Sequence, residues 1–307
     1  MNMPDNPYYQ QLRLLVQILP AVMAEKCFAL KGGTAINLFY RDLPRYSVDI
    51  DLTYLPGEAY PHALREMDAA LRRIAEGLSS GSPSFNVALG SGKDKGPIDT
   101  ITVRGSDALV KVEVNPVLRS SVFAARELEA RPIAQREFGF VSANVLSFED
   151  TYAGKIVAAL DRQHPRDLFD INLLLANEGI SEALFKTFLV YLVGHKGVIS
   201  HVLAPGDKNI DALYHGQFVN MTVDSVPLET LLDARRQLVR EIHARIDEPL
   251  KRFLISAQRG EPEWPLLGMD GVDNLPAVKW KLQNVKKMSK KLFDEELATL
   301  ERMLEKI

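Results

Sequence analysis

The chain has 307 residues, 46% of them hydrophobic and 25% charged, with a formal net charge of −3. That is enough apolar material for one large core or two ordinary ones, and it excludes a disordered chain. The single cysteine, Cys27, excludes an intrachain disulfide and a cysteine-built zinc site. No two of the six histidines stand at the i, i+4 spacing of a helical metal site, so metal chemistry must rest on carboxylates.

No basic start followed by an apolar run marks a signal peptide at the N-terminus. The most apolar later stretch, 184–203, is broken by Lys186, His195, Lys196 and His201, which argues against a membrane span. The expectation is a cytoplasmic protein.

In chain order, residues 8–24 read as a helix, with Leu12, Leu15, Val16 and Leu19 at helical spacing. A short apolar strand follows at 28–31 and ends on Gly32 and Gly33, and a helix opens at Thr34 and runs to Tyr40. Residues 46–54 alternate as a strand, 58–78 as an amphipathic helix, and 79–84 form a Ser/Gly/Pro loop. Strands are expected at 85–89 and 99–104, joined as a hairpin through a Gly/Lys turn at 90–96, then at 109–115 and 138–145.

After Leu146 the pattern turns helical. Ser147 with Asp150 three residues on forms a capping-box variant that opens a helix to about Arg162. A Gln163-His164-Pro165 break precedes helices at 166–176, 181–193, 227–246 and 293–307, while 203–222 and 259–276 read as loops. The fold class expected is α+β: a mixed-sheet domain over residues 1–146, followed by a helical C-terminal domain over 147–307.

The most informative stretch is Ser47-Val48-Asp49-Ile50-Asp51-Leu52. Strand alternation puts Ser47, Asp49 and Asp51 on one face and Val48, Ile50 and Leu52 on the other, toward a core. Two carboxylates forced together resist ionising unless a cation lies between them, and Mg2+ prefers such hard oxygen ligands. The alternation recurs at Lys111-Val112-Glu113-Val114-Asn115, so a neighbouring strand could add Glu113 and allow two Mg2+ ions. Upstream, Gly32 and Gly33 let backbone approach a phosphate, and Thr34 adds a hydroxyl. The competing explanations are a calcium-loop fragment or a solvated strand edge for the aspartates, and an exposed surface pair for Glu113.

A second constellation opens the helical half. Arg166, Asp167 and Asp170 share one face of a helix, and the short break folds it back toward Lys155. They form either a structural ion-pair cluster pinning two helices or a charged nucleotide site. Finally, six lysines crowd into residues 279–291 around Trp280, as a phosphate-binding surface or a solvated helix face.

The stretches LKGGTAINLFYRDLPRYSVDIDL, KVEV and TYAGKIVAALDRQHPRDLFDINLLL together resemble the AbiEii/AbiGii nucleotidyltransferase toxin family. That family is similar to the DNA polymerase β-like superfamily and includes MenT-like toxins of mycobacteria. The resemblance implies a polymerase-β-like nucleotidyltransferase domain with NTP as substrate. It assigns Gly33 and Thr34 to nucleotide phosphate, with Gly32 and Ser47 beside them, and Asp49 and Asp51 to Mg2+, with Glu113 the least secure ligand. It gives Lys155 to the triphosphate and Asp170 the role of essential acid, with Arg166 and Asp167 in the same nucleotide-binding motif. It further implies the toxin of a type IV toxin–antitoxin or abortive-infection system, tRNA as acceptor, a block of translation, and a cognate antitoxin. The alternatives left open are a small-molecule or protein hydroxyl as acceptor, and a binding module without turnover.

Overall fold

The computed structural model describes residues 6–91 and 96–307. The centre of the expected 90–96 turn, residues 92–95, lies outside the described residues. Two compact units emerge: one formed by the chain up to Thr151 together with Val219–Ser225, the other by Tyr152–Phe218 and Val226–Ile307.

In the first unit, helix α1 (Pro7–Val22) starts on an Asn6 cap whose side-chain oxygen accepts the Tyr8 N–H. It leads to β1 (Phe28–Lys31), the four-residue helical turn α2 (Gly32–Ala35) and a π-helical turn at Ile36–Tyr40. Then come β2 (Asp49–Tyr54), α3 (Tyr60–Ser80), β3 (Asn86–Ser91), β4 (Ile98–Arg104), β5 (Leu109–Val114), β6 (Arg126–Glu129), α4 (Pro132–Phe138) and β7 (Ser142–Val145). The seven strands among the described residues form one mixed sheet in the order β3-β4-β5-β2-β1-β7-β6. β2 runs parallel to β5 and antiparallel to β1.

The sheet is two-faced, as alternation demands. Leu30, Ile50, Leu52, Val110, Val112, Val114, Ile101 and Val103 are buried on one side. They share a core with Leu12, Leu15 and Leu19 of α1 and Ala63, Met67, Ala70, Leu71 and Ile74 of α3. Their opposite face carries the polar side chains of the candidate site.

Several elements depart from their expected limits. β2 begins at Asp49, because 45–47 is held elsewhere: the Tyr46 N–H bonds the Met221 carbonyl at 2.8 Å, and Arg45 bridges Thr222. The expected 138–145 strand shrinks to Ser142–Val145, since Pro132 starts a short helix that Gly139, at φ 93°, ends. β6 was invisible in the sequence because it is an edge strand with mostly exposed polar residues.

The second unit contains α5 (Phe148–Asp161) from Tyr152 onward, then α6 (Pro165–Asn177), α7 (Glu182–Val193), α8 (Ile199–Leu203), α9 (Asp211–Gln217), α10 (Leu228–His243), α11 (Glu248–Gln258), α12 (Pro276–Lys286) and α13 (Lys290–Leu304). The Ser147 hydroxyl accepts the Asp150 N–H at 2.9 Å, closing the cap of α5. Asp150 in turn accepts the N–H groups of Val122 and Phe123. The expected 203–222 loop contains α9, which buries no side chain and so shows no apolar stripe. Helix α11 has no counterpart among the expected elements, and α12 was expected only as one of two readings of the lysine run. No described helix is long and apolar enough to cross a membrane.

Candidate active site

The glycine turn and the aspartate strand meet on the polar face of the sheet. Strand register lines up one continuous row: Lys31 on β1 opposite Asp51 on β2, Asp51 opposite Glu113 on β5, and Glu113 opposite Thr100 on β4. Paired residues in a sheet point to the same side, so all four share one face. One step along, Asp49 stands opposite Lys111, which pairs with Thr102. Lys31, Asp51, Thr100 and Glu113, with Asp99 and Asn115, line a cleft of about 360 Å³.

Gly32 couples the turn to this row. It sits at φ +70°, and a Cβ built there would come 2.6 Å from the Asp51 carboxylate oxygen Oδ2. Only glycine allows both that backbone and that approach. A Cβ at Gly33 would meet the Arg45 guanidinium at 2.7 Å and the Ser47 hydroxyl at 3.1 Å. Arg45 is buried, and its Nη1 donates to the Tyr46 carbonyl at 2.9 Å.

Thr34 is buried, and its hydroxyl donates to the Asp49 carbonyl at 2.5 Å. A hydroxyl has one proton, so the 2.9 Å contact between Thr34 and Ser47 is made with Ser47 as donor. The pair ties the turn to the start of β2, and both oxygens are engaged inside the protein.

Charge in the cleft is lopsided. Asp51, Asp99 and Glu113 are acidic, and Lys31 is the only cation among the described lining residues. Burial holds the Lys31 ammonium below its ordinary pKa, and the Asp51 carboxylate partly offsets this. Glu113 is half exposed and leans toward Lys111 at 3.4 Å.

Among the described residues, no three acidic, histidine or cysteine side chains converge closely enough to form a metal cage. The donor set nevertheless suits Mg2+, which binds through one or two carboxylates and completes its shell with water and substrate phosphates. Asp49 and Asp51 offer those oxygens on one face of β2, with Glu113 in register beside Asp51.

The second constellation is assembled inside its own unit. Lys155 Nζ lies 2.8 Å from Asp167 Oδ1 and 3.0 Å from Asp170 Oδ2, with all three side chains buried. Arg162 closes the cluster at 2.6 Å from Asp167 Oδ2. Burial alone would raise the Asp167 carboxyl, but Lys155 and Arg162 overcome it and hold the group well below the carboxylate range. Arg166 is partly exposed at the start of α6, whose His164 cap accepts the Arg166 N–H.

Lys31, Asp99, Thr100 and Arg45 escaped the residue-by-residue reading. Lys31 could have been found, since it precedes the glycine pair directly. Asp99 and Thr100 depend on strand pairing that no local pattern reveals.

Among solved structures, the nucleotidyltransferase toxin MenT4 from Mycobacterium tuberculosis H37Rv is similar in fold, with a TM-score of 0.60 at 13% identity over 95% of this chain and 93% of that one. No curated protein matches the sequence. The family model for the nucleotidyl transferase AbiEii toxin matches residues 13–284, most of the chain, and the chain therefore belongs to this family of nucleotidyltransferase toxins of type IV toxin–antitoxin systems.

Proposed function

We propose that this toxin transfers a nucleoside monophosphate from an NTP to the 3′-hydroxyl of an RNA, with tRNA the acceptor, and so blocks translation until a cognate antitoxin restrains it. The observation that carries this is the row Lys31–Asp51–Glu113–Thr100 on one sheet face, pressed against the Gly32 turn. A cleft with three carboxylates repels a bare polyphosphate and accepts one only with compensating cations.

Asp49 and Asp51, with Glu113 as a further carboxylate, would hold Mg2+. When bound, the ion neutralises charge on the triphosphate and acidifies the attacking hydroxyl. The protein's own share is positioning. Gly32 makes room for the Asp51 carboxylate and Gly33 for Arg45 and Ser47, while Thr34 and Ser47 fix the turn against Asp49. Lys31 supplies a positive charge to the phosphates. From the second unit we assign Lys155 to triphosphate charge, Asp170 to the essential acid, and Arg166 and Asp167 to nucleotide binding. The cytoplasm, where NTP and tRNA meet, is the proposed place of action.

The test is incubation with each α-labelled NTP and total tRNA, followed by nuclease digestion. Label is expected in RNA, and periodate oxidation of the tRNA 3′ terminus should prevent it. Label that stays on protein or on a small molecule after RNase would replace the acceptor and leave the chemistry standing.

Two substitutions probe the row. Lys31→Met should lower kcat/KM for NTP by about tenfold or more, a loss of about 1.4 kcal/mol in transition-state binding. Lys31→Arg should recover part of it, and steady-state rates against NTP concentration decide. Gly32→Ala combines a left-handed alanine, costing about 1–2 kcal/mol, with displacement of the Asp51 carboxylate. Transfer should fall far more than thermal stability does, as rate assays and melting curves on one preparation will show.

A further inference from the structure

Helix α12 is built inside out. Its inward stripe is Val278, Lys281, Leu282 and Val285, so a lysine occupies a core-facing position: Lys281 is 7% exposed, while Trp280 beside it is 37% exposed. Burying an ammonium and exposing an indole is the reverse of what folding favours. The buried lysine is accounted for, because its Nζ donates to the Gly197 carbonyl at 2.8 Å and the Lys196 carbonyl at 3.3 Å. These bonds fix the rotation of α12 about its axis, and they fix which face looks outward.

That outward face carries Lys279, Trp280, Gln283, Lys286 and Lys287, and Lys290 and Lys291 follow at the start of α13. Lys279 bonds the neutral Asn274 side chain, and Lys291 stands 4.0 Å from Glu295. Lys286, Lys287 and Lys290 have no carboxylate within ion-pair distance among the described residues. A chain of net charge −3 thus gathers uncompensated ammonium groups around one exposed ring.

We propose that this face of α12 is an RNA-binding surface, with Trp280 stacking on an unpaired base and Lys279, Lys286, Lys287 and Lys290 contacting the phosphates beside it. Single-stranded nucleic acid is recognised by this combination of an aromatic platform and neighbouring cations. A protein partner would want contiguous apolar area at the centre of its interface. Around Trp280 the helix instead offers Gln283 and Asn284 one turn on, Lys287 two turns on, and only the small Pro276 and Ala277 one turn back. The proposal rests on the RNA-acceptor function and gives the second unit a share in recognising that RNA.

The test uses the full-length chain and fluorescence anisotropy with labelled tRNA and with an unstructured oligoribonucleotide, over a KCl series. Trp280→Ala should weaken binding of the oligonucleotide about tenfold, and Trp280→Phe should weaken it less. The triple variant Lys286→Gln/Lys287→Gln/Lys290→Gln should flatten the log–log salt dependence by about two units, at roughly 0.7 per phosphate contact. NTP binding of both variants and the melting curve of the lysine variant should match the unaltered chain, because those three lysines are exposed, and Trp280→Phe controls for the packing that the ring supplies. Unchanged affinity and salt slope in both variants, while the unaltered chain binds RNA, would overturn the α12 assignment alone. Failure of the unaltered chain to bind or label any RNA would overturn the acceptor assignment and this surface with it.

Discussion

Asp51→Asn is expected to reduce nucleotide transfer by about 1,000-fold or more, the scale of loss when a charge-stabilising group is removed from a reacting centre. Asp51 is the hinge of the site. It stands in register with both Lys31 and Glu113, and its carboxylate leaves no room for a Cβ at Gly32. The asparagine keeps the shape and removes the charge, so packing against the turn survives while the affinity for a cation is lost. Asp49→Asn is expected to act in the same direction. The readout is labelled NMP incorporation under saturating NTP, together with relief of growth arrest on expression. Retention of more than a tenth of the activity in Asp51→Asn would remove this residue from the reaction.

The second large effect is on stability. Lys155 is buried between Asp167 and Asp170, and Arg162 pairs with Asp167 from the other side. Lys155→Met removes the buried cation that the two buried carboxylates share, and breaking a buried pair from one side costs about 3–5 kcal/mol. A fall of that size in urea-unfolding free energy at pH 7 is expected, although the methionine fills the volume. The pH dependence follows from Asp167, whose carboxyl is depressed in the folded state by Lys155 and Arg162. A depressed carboxyl contributes stability that is full above its unfolded pKa of about 3.9 and is lost as pH falls through the folded value. The stability gap between the unaltered chain and Asp167→Asn should therefore be widest at neutral pH and shrink below about pH 4. A constant gap down to pH 2 would mean the cluster contributes nothing through charge.

The sequence made the centre of this site legible because strand alternation is a strict geometric rule. Asp49 and Asp51 had to share a face once Ile50 and Leu52 were read as core, and both of those are fully buried. The folding of α6 back against α5 was legible for a similar reason, since a short break at Gln163–Pro165 leaves little alternative. What stayed hidden was long-range. Nothing local tells that Thr100 pairs with Glu113, or that the Met221 carbonyl and Thr222 hold the Tyr46 and Arg45 backbone. That contact, 175 residues apart in sequence (221 − 46), is also why the strand starts at Asp49. The limits of helix α12 stayed hidden for the reason that makes it interesting: a lysine on its buried stripe and a tryptophan outside it blur the apolar period.

The most direct measurement is an anomalous-scattering map from crystals grown with Mn2+ and a non-hydrolysable NTP. It should show an ion bound by Asp49 and Asp51, with phosphate oxygens against the Gly32–Gly33 backbone and near the Lys31 ammonium. A nucleotide and ion ordered elsewhere on the protein, with that sheet face left to solvent, would contradict the assignment.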